Sequence, residues 1–242
     1  MALMRLDKIL SSTGEYSRSE AKSLIRSGLV MIGDRQARSG DEKADPEVTA
    51  VTVKGVRIGY AEHHYIMMNK PGGYLSATED SRDKTVLELM EAKYRRLGLF
   101  PAGRLDKDTE GLLILTDDGD FCHNIITPGK KVPKIYYAEI LGQLADIHVA
   151  AFEEGIVLGD GTKCRPGKLE ILPDSQGKKC YITIEEGKFH QVKRMITACG
   201  CQVAYLKRVK IGGLAIDESL ALGEYRELTD EEKNLVLTGR QV

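Results

Sequence analysis

The sequence predicts an α+β protein of two unequal parts: a small basic module over residues 1–60 and a larger domain over residues 63–242 with a mostly antiparallel, mixed sheet. Three observations predict it. Short apolar runs of strand type mix with helical patterns, but not in the regular alternation of a parallel sheet. The first sixty residues carry their own cap, turn and strand signals. The chain of 242 residues, 42% hydrophobic and 29% charged, has ample material for a core and excludes wholesale disorder.

Within the front module, Ser17 followed by Glu20 is a capping box that places a helix start near Arg18, and Gly28 is its terminator. Ala21, Leu24 and Ile25 share one face of that helix, while Arg18, Lys22 and Arg26 recur every fourth residue on another. Leu29 to Ile32 reads as a short strand and Gly33-Asp34 as a tight turn. Val51 to Ile58 alternates as one closing strand, followed by a linker from Gly59 to His63. In the larger domain, Tyr65 to Met68 is a strand ended by the turn Asn69-Lys70-Pro71-Gly72-Gly73. Thr85 to Leu97 has helical spacing, and Gly111 to Thr116 reads as a buried strand. Ile135 to Ile140, Lys168 to Leu172 and Cys180 to Ile184 are further strands; Ala145 to Glu153 and Gln191 to Ala198 are helices.

No apolar run approaches the roughly 20 residues of a membrane helix, and the opening MALMRLDKIL has no signal-type apolar core, so the expected location is cytoplasmic. The five cysteines, Cys122, Cys164, Cys180, Cys199 and Cys201, have no CxxC pair or regular spacing and read as reduced, buried thiols. A net charge of −1 averages over unlike segments. Residues 1–40 hold seven Lys/Arg against four Asp/Glu and residues 121–213 hold fourteen against nine, whereas residues 214–242 hold three against seven. Such basic segments suit either a local nucleic-acid footprint or a mixed solvated surface. A row of cations on a rigid helix fits phosphate contacts in particular.

The stretch GRLDKDTEGLLILTDDG, from Gly103 to Gly119, admits two chemistries. Asp106, Asp108, Glu110, Gly111 and Asp117 fall on a calcium-loop template. That loop needs a helix on each side, yet the entering residues Gly98 to Gly103 contain two glycines and a proline, and Ile114-Leu115-Thr116 reads as strand interior. The alternative is a single catalytic carboxylate, Asp106, beside Arg104. On spacing alone, that pair is no more than a surface ion pair worth about 0–1 kcal/mol.

The motifs taken together are more specific. Arg5-Leu6-Asp7-Lys8, Gly14, Ser17-Arg18, Ala21, Leu24-Ile25, Gly28 and Val30 resemble the small S4-like RNA-binding domain first known from a ribosomal small-subunit protein. Gly33-Asp34 departs from the Asn-Gly common there. Gly103-Arg104-Leu105-Asp106 resembles the signature of the pseudouridine synthases that act on ribosomal RNA. It is accompanied, in order, by the Tyr65 to Gly73 opening, by Thr109 to Gly119, by Lys134-Ile135-Tyr136 and by Glu186 to Met195. Phe152 to Ile156, Cys164 to Glu170, Ile211 to Leu214 and Glu224 to Thr229 look most like the small-subunit branch, which modifies one uridine of 16S rRNA at position 516. Large-subunit enzymes share most of these motifs.

The resemblance implies an isomerase that breaks the bond from ribose to N1 of uracil, turns the base and rejoins it through C5. Such a reaction requires no cofactor or metal, and the sequence shows no nucleotide-binding loop. It implies Asp106 as the catalytic carboxylate, acting covalently or as a base on the ribose. Tyr136 is implied as the residue that stacks on the extruded base, with strand register deciding between it and Tyr137. Lys193 is implied as the cationic partner of Asp106, with Arg194 in reserve. Leu206 is either a wall of the base pocket or an ordinary core leucine. Arg5, Lys8, Arg18, Lys22, Arg26, Arg104, Arg194 and Arg208 are the expected RNA contacts, and His190 is expected to position structure or phosphate. The expected partner is ribosomal RNA, with the protein a monomer. A non-catalytic RNA-binding or ribosome-assembly protein on the same fold is the rival reading.

Overall fold

The computed structural model describes residues 3–173 and 175–238, which form two compact units. One contains the chain up to His64 together with Met90–Leu99; the other contains Tyr65–Leu89 and the chain from Phe100 onward.

In the first unit the helices Leu6–Ser11 and Arg18–Arg26 pack with an antiparallel sheet ordered Arg35–Gln36, Val30–Ile32, Val51–Val53, Val56–Ile58. Leu6, Ile9, Leu10, Ala21, Ile25, Val30 and Val53 form its core. The capping box is present: the Glu20 N–H donates to Ser17 Oγ at 3.2 Å and the Ser17 N–H to Glu20 Oε2 at 2.6 Å. Ala21 and Ile25 are buried, while Arg18, Lys22 and Arg26 are exposed on the other face. One expectation is corrected here. Val51 to Ile58 is a hairpin rather than one strand, turned at Lys54 and Gly55 with φ of 50° and 80°, so that Val53 faces Val56. Partners across a two-residue turn share a face, so the apolar positions shift from odd numbers, Val51 and Val53, to even ones, Val56 and Ile58, and the pair Lys54-Gly55 between them marks the turn.

The expected helix from Thr85 to Leu97 is also corrected. It is a 3₁₀ turn, Val86–Leu89, and a four-residue helix, Ala92–Arg95. The break falls where the chain leaves one unit for the other, so Val86 and Met90, which share a helical stripe in the sequence, are buried in different units.

The second unit is built on one long sheet. Its strands run Lys168–Ile171, Lys179–Ile184, Lys134–Leu141, Gln202–Ile211, Glu110–Thr116, Tyr65–Lys70, Tyr225–Glu227, with Phe100–Pro101 and Leu214–Ala215 paired at the sides. Pairings along this path are antiparallel except that of Gln202–Ile211 with Glu110–Thr116. The mostly antiparallel mixed sheet is therefore as the sequence predicts. Helices Asp146–Glu154 and Gln191–Ala198 fall where expected, whereas Gly119–Ile126 and Asp230–Leu237 are additional. Met67, Leu112, Ile114, Phe121, Ile125, Ile211 and Val236 pack into one core. Cys122, Cys164, Cys180 and Cys201 are buried; Cys199 is half-buried. No helix among the described residues is long and apolar enough to cross a membrane.

The parallel pairing sets Gly111 against Arg208. Gly111 has φ of +100°, and a Cβ there would sit 2.2 Å from the Arg208 carbonyl oxygen. Gly111→Ala should therefore force these two strands apart and destabilise the protein by about 3 kcal/mol or more, read as a lowered denaturant midpoint. An unchanged midpoint would mean that the strands tolerate separation here.

Candidate active site

Two adjacent strands prepare one face of a cavity. Lys134–Leu141 buries every second side chain, Lys134, Tyr136, Ala138 and Ile140. Its neighbour Gln202–Ile211 sets Arg208 opposite Tyr136 and Leu206 opposite Ala138. Tyr136, Leu206, Arg208 and Lys134 line a cavity of about 620 Å³ that also receives Arg104, Asp106, His190 and Lys193. Register thus decides between the two tyrosines. Tyr137 lies on the opposite face, where its hydroxyl donates to Glu139 at 2.8 Å and its ring packs edge-on against Tyr181 and Tyr205.

Asp106 stands on the loop that leads into the strand Glu110–Thr116. Lys193, near the start of the helix Gln191–Ala198, reaches it: Nζ lies 3.1 Å from Asp106 Oδ2 and 2.5 Å from Asp108 Oδ1. Both members of the Asp106–Lys193 pair are about three-quarters buried, at 26% and 24% exposure. Burial alone would lower the Lys193 pKa, but its bonds to Asp108 and Asp106 outweigh that and hold it above the usual lysine value. The hydrogen bond from Lys193 is the main reason that Asp108 lies below the ordinary aspartate value. Arg194 turns elsewhere, with Nη2 2.5 Å from Asp160 Oδ2. His190 holds the position before the helix in a left-handed conformation, φ 48°, with Nε2 3.6 Å from Asp106 Oδ1.

The Asp106 loop is held from beneath. Lys70 is fully buried and donates through Nζ to the carbonyls of Pro71, Lys107 and Thr109 at 2.9, 3.2 and 2.8 Å. Ser76 Oγ both donates to the Leu105 carbonyl and accepts from the Leu105 N–H, each at 3.1 Å. The Gly73 N–H donates to the Lys107 carbonyl at 2.7 Å. Sequence reasoning gave no role to Lys70 or Ser76, and weighed Asp108 only as a calcium ligand. A lysine closing an apolar run just before a Pro-Gly-Gly turn is a signal for the first; Ser76 has none. Burial, partly offset by nearby carboxylates, lowers the Lys70 pKa to about 8. Burial, with Arg208 adding to it, lowers Lys134 to about 8 as well.

The calcium reading fails on geometry. Phe100–Pro101, ahead of the template, is a strand and not an entering helix, and Glu110–Thr116, which falls inside the template, is a strand and not a loop. Glu110 accepts instead from the Tyr205 hydroxyl at 2.7 Å. Arg208 is also placed differently from the expectation of an RNA contact at the surface. It is only 3% exposed and donates through Nε to the Leu112 carbonyl at 2.8 Å, so its surroundings are the cavity wall and the core. Arg104 is exposed at the cavity, and Lys8, Arg18, Lys22 and Arg26 are exposed on the first unit. Arg5 is exposed too, but is paired with Asp7 at 2.8 Å and with Asp41.

Removing the Lys70 ammonium strands three carbonyls. Lys70→Met should cost about 3 kcal/mol or more in stability, measured by denaturant titration; a loss below about 0.5 kcal/mol would show that the loop holds without it. Lys134 gives a pH signature. Its folded pKa of about 8 lies below the ordinary 10.5, so between these values the unfolded chain binds more protons than the folded one. Its contribution to stability is therefore smallest below pH 8 and grows as pH rises toward 10.5. The stability of wild type relative to Lys134→Met should rise across that window, and a flat difference would contradict the depressed pKa.

Residues 64–198 match the RNA pseudouridylate synthase family, and residues 4–48 match the S4 domain. The chain is 47% identical to the uncharacterized RNA pseudouridine synthase YtzG of Bacillus subtilis, over 96% of this chain and 98% of that protein. It is 39% identical to ribosomal small subunit pseudouridine synthase A of Vibrio cholerae, over 95% and 97% of the two chains. A crystal structure of a pseudouridylate synthase, 37% identical, superposes with a TM-score of 0.67 over 96% of this chain and 99% of that one. Asp106, Tyr136 and Lys193, gathered around one cavity, all fall inside the matched region, and the chain belongs to the RNA pseudouridylate synthase family of isomerases, with an S4 domain ahead of its synthase domain.

Proposed function

We propose that this protein isomerises one uridine of ribosomal RNA to pseudouridine, that its target lies in 16S rRNA, and that it works in the cytoplasm as a monomer. The observation that carries the reading is the Asp106–Lys193 pair at 3.1 Å, facing a cavity of about 620 Å³ walled by Tyr136 and Leu206. That volume falls in the range of ligand pockets, roughly 300–1,000 Å³. It suits a nucleotide taken out of its stack. The small-subunit synthases that the chain resembles along nearly its whole length support the 16S target.

In this reading Asp106 meets the ribose of the extruded uridine and acts on it covalently or as a base. Lys193 pairs with Asp106 and orients it. Tyr136 stacks on the base and is placed for proton transfer at C5, and Leu206 supplies the apolar wall. Arg104 holds the opened nucleotide from the cavity mouth. A domain that only bound RNA would gain nothing from a carboxylate facing a phosphate chain, which disfavours the non-catalytic rival.

The decisive experiment maps pseudouridine in 16S and 23S rRNA from cells lacking the protein, complemented with wild type or Asp106→Asn, by carbodiimide adducts and reverse-transcription stops. One 16S stop restored by wild type alone is expected, and purified Asp106→Asn should lose at least about 1,000-fold in turnover. A restored 23S stop would move the target to the large subunit. If no stop depended on the protein, or Asp106→Asn restored it fully, catalysis would be refuted.

The S4 domain generates a separate prediction. Each phosphate contact contributes about −0.7 to −0.9 to the slope of log affinity against log salt. Affinity for rRNA should fall steeply with salt, and replacing Lys22 and Arg26 together by alanine should flatten the slope by roughly 1.4–1.8. An unchanged slope would remove this helix face from the RNA interface.

A further inference from the structure

The most exposed large aromatic of the second unit belongs to the catalytic cavity. Phe189 is 76% exposed and lines the cavity that contains Asp106. Its ring is stacked on His190, with centroids 3.8 Å apart and planes 18° from parallel. One face of the phenyl ring is thus covered and the other left open. His190 lies with Nε2 3.6 Å from Asp106 Oδ1, so the open aromatic face stands one ring away from the catalytic carboxylate.

The loop that carries it is fixed. Glu186, 7% exposed, accepts from Gln191 Nε2 at 2.8 Å and from the Arg165 N–H at 3.0 Å, and it pairs with Lys188. Gln191 Oε1 in turn accepts from the Lys188 N–H at 2.9 Å. His190 takes the left-handed conformation, φ 48°, which a non-glycine residue adopts at a cost. These constraints fix the loop that holds a large apolar ring out in water. Its surroundings are charged: the exposed Arg104 lines the same cavity, together with the Lys188–Glu186 and Lys193–Asp106 pairs. An apolar protein surface would have to strip water from those groups. A nucleotide chain offers Arg104 a phosphate and offers the ring a π-face.

We infer that Phe189, backed by His190, is a stacking platform for the nucleobase next to the target uridine. The inference rests on the proposed RNA substrate and extends it to a second nucleotide. The flanking base seats on the open face of Phe189 and forms a three-layer stack of base, phenyl and imidazole, while the target base enters the cavity beside Tyr136. Stacking of this kind tolerates any base, so the platform contributes affinity and holds the strand open rather than reading sequence.

The test compares wild type with Phe189→Ala, Phe189→Leu and Phe189→Trp in the full chain, on unmodified 16S rRNA transcribed in vitro. The residue is exposed, so all four proteins should share one thermal midpoint. The alanine and leucine variants should lose about 5- to 100-fold in kcat/KM, carried by KM, and tryptophan should stay within about threefold of wild type. An alanine variant equal to wild type, a leucine variant equal to wild type, or a loss confined to kcat would each overturn the platform. A second measurement needs no turnover: a single-stranded oligouridylate with one central 2-aminopurine should lose fluorescence on binding wild type but not Phe189→Ala. Equal quenching by both would overturn the platform even if the enzyme were active. Quenching by wild type alone, with no pseudouridine formed in 16S or 23S rRNA, would keep the platform and refute the proposed reaction instead.

Discussion

A single buried ammonium sets the geometry on which the site depends. Lys70 ends the strand Tyr65–Lys70 inside the protein and gives its three protons to the carbonyls of Pro71, Lys107 and Thr109. Two of those carbonyls, Lys107 and Thr109, lie just after Asp106 in the chain, so the loop carrying the carboxylate cannot move without stranding a cation away from water. Burial pushes the lysine pKa down to about 8 even with carboxylates nearby, which measures how strongly the location disfavours a charge. Ser76 adds a second clamp, at Leu105.

Above that anchor, charge is shared rather than simply paired. Lys193 lies between Asp106 and Asp108, so one ammonium faces two acids. Asp108 is far more exposed than Asp106, 75% against 26%, and solvent screens it accordingly. The shorter contact, at 2.5 Å, is the exposed one to Asp108, and the drier one, at 3.1 Å, is that to Asp106 at the cavity. Arg194, next along the helix, is committed to Asp160. A single residue step along a helix turns a side chain by about 100°, enough to send two adjacent cations to different acids.

The sheet does for the apolar half of the site what Lys70 does for the polar half. Period-two alternation puts Tyr136 into the cavity and Tyr137 on the far face, and pairing with Gln202–Ile211 brings Leu206 and Arg208 to the same wall. The parallel contact at Gly111 lets the strand bearing Arg208 approach closely, which joins that wall to the strand that follows Asp106. Wall and strand are thus joined by backbone pairing, to which Arg208 adds its bond to the Leu112 carbonyl and Tyr205 its bond to Glu110.

The sequence by itself determined the elements with local causes. The capping box at Ser17, the strand Glu110–Thr116 and the helix Gln191–Ala198 are legible because propensity, periodicity and turn chemistry act over a few residues, whereas the role of Asp106 is legible through the resemblance of the motifs around it. Where a short irregularity sits inside a regular pattern, it misled. The turn at Lys54-Gly55 is a two-residue break in the alternation, and the segment after Thr85 keeps helical spacing although it divides between the two units. Tertiary structure alone decided which tyrosine enters the cavity, that Lys193 rather than Arg194 meets Asp106, and that Arg208 is buried. It also decided that Lys70 and Ser76 hold the loop while Phe189 stays outside. Each of these depends on residues brought together across tens of positions in the chain, and neither spacing nor composition records which distant backbone a side chain will meet.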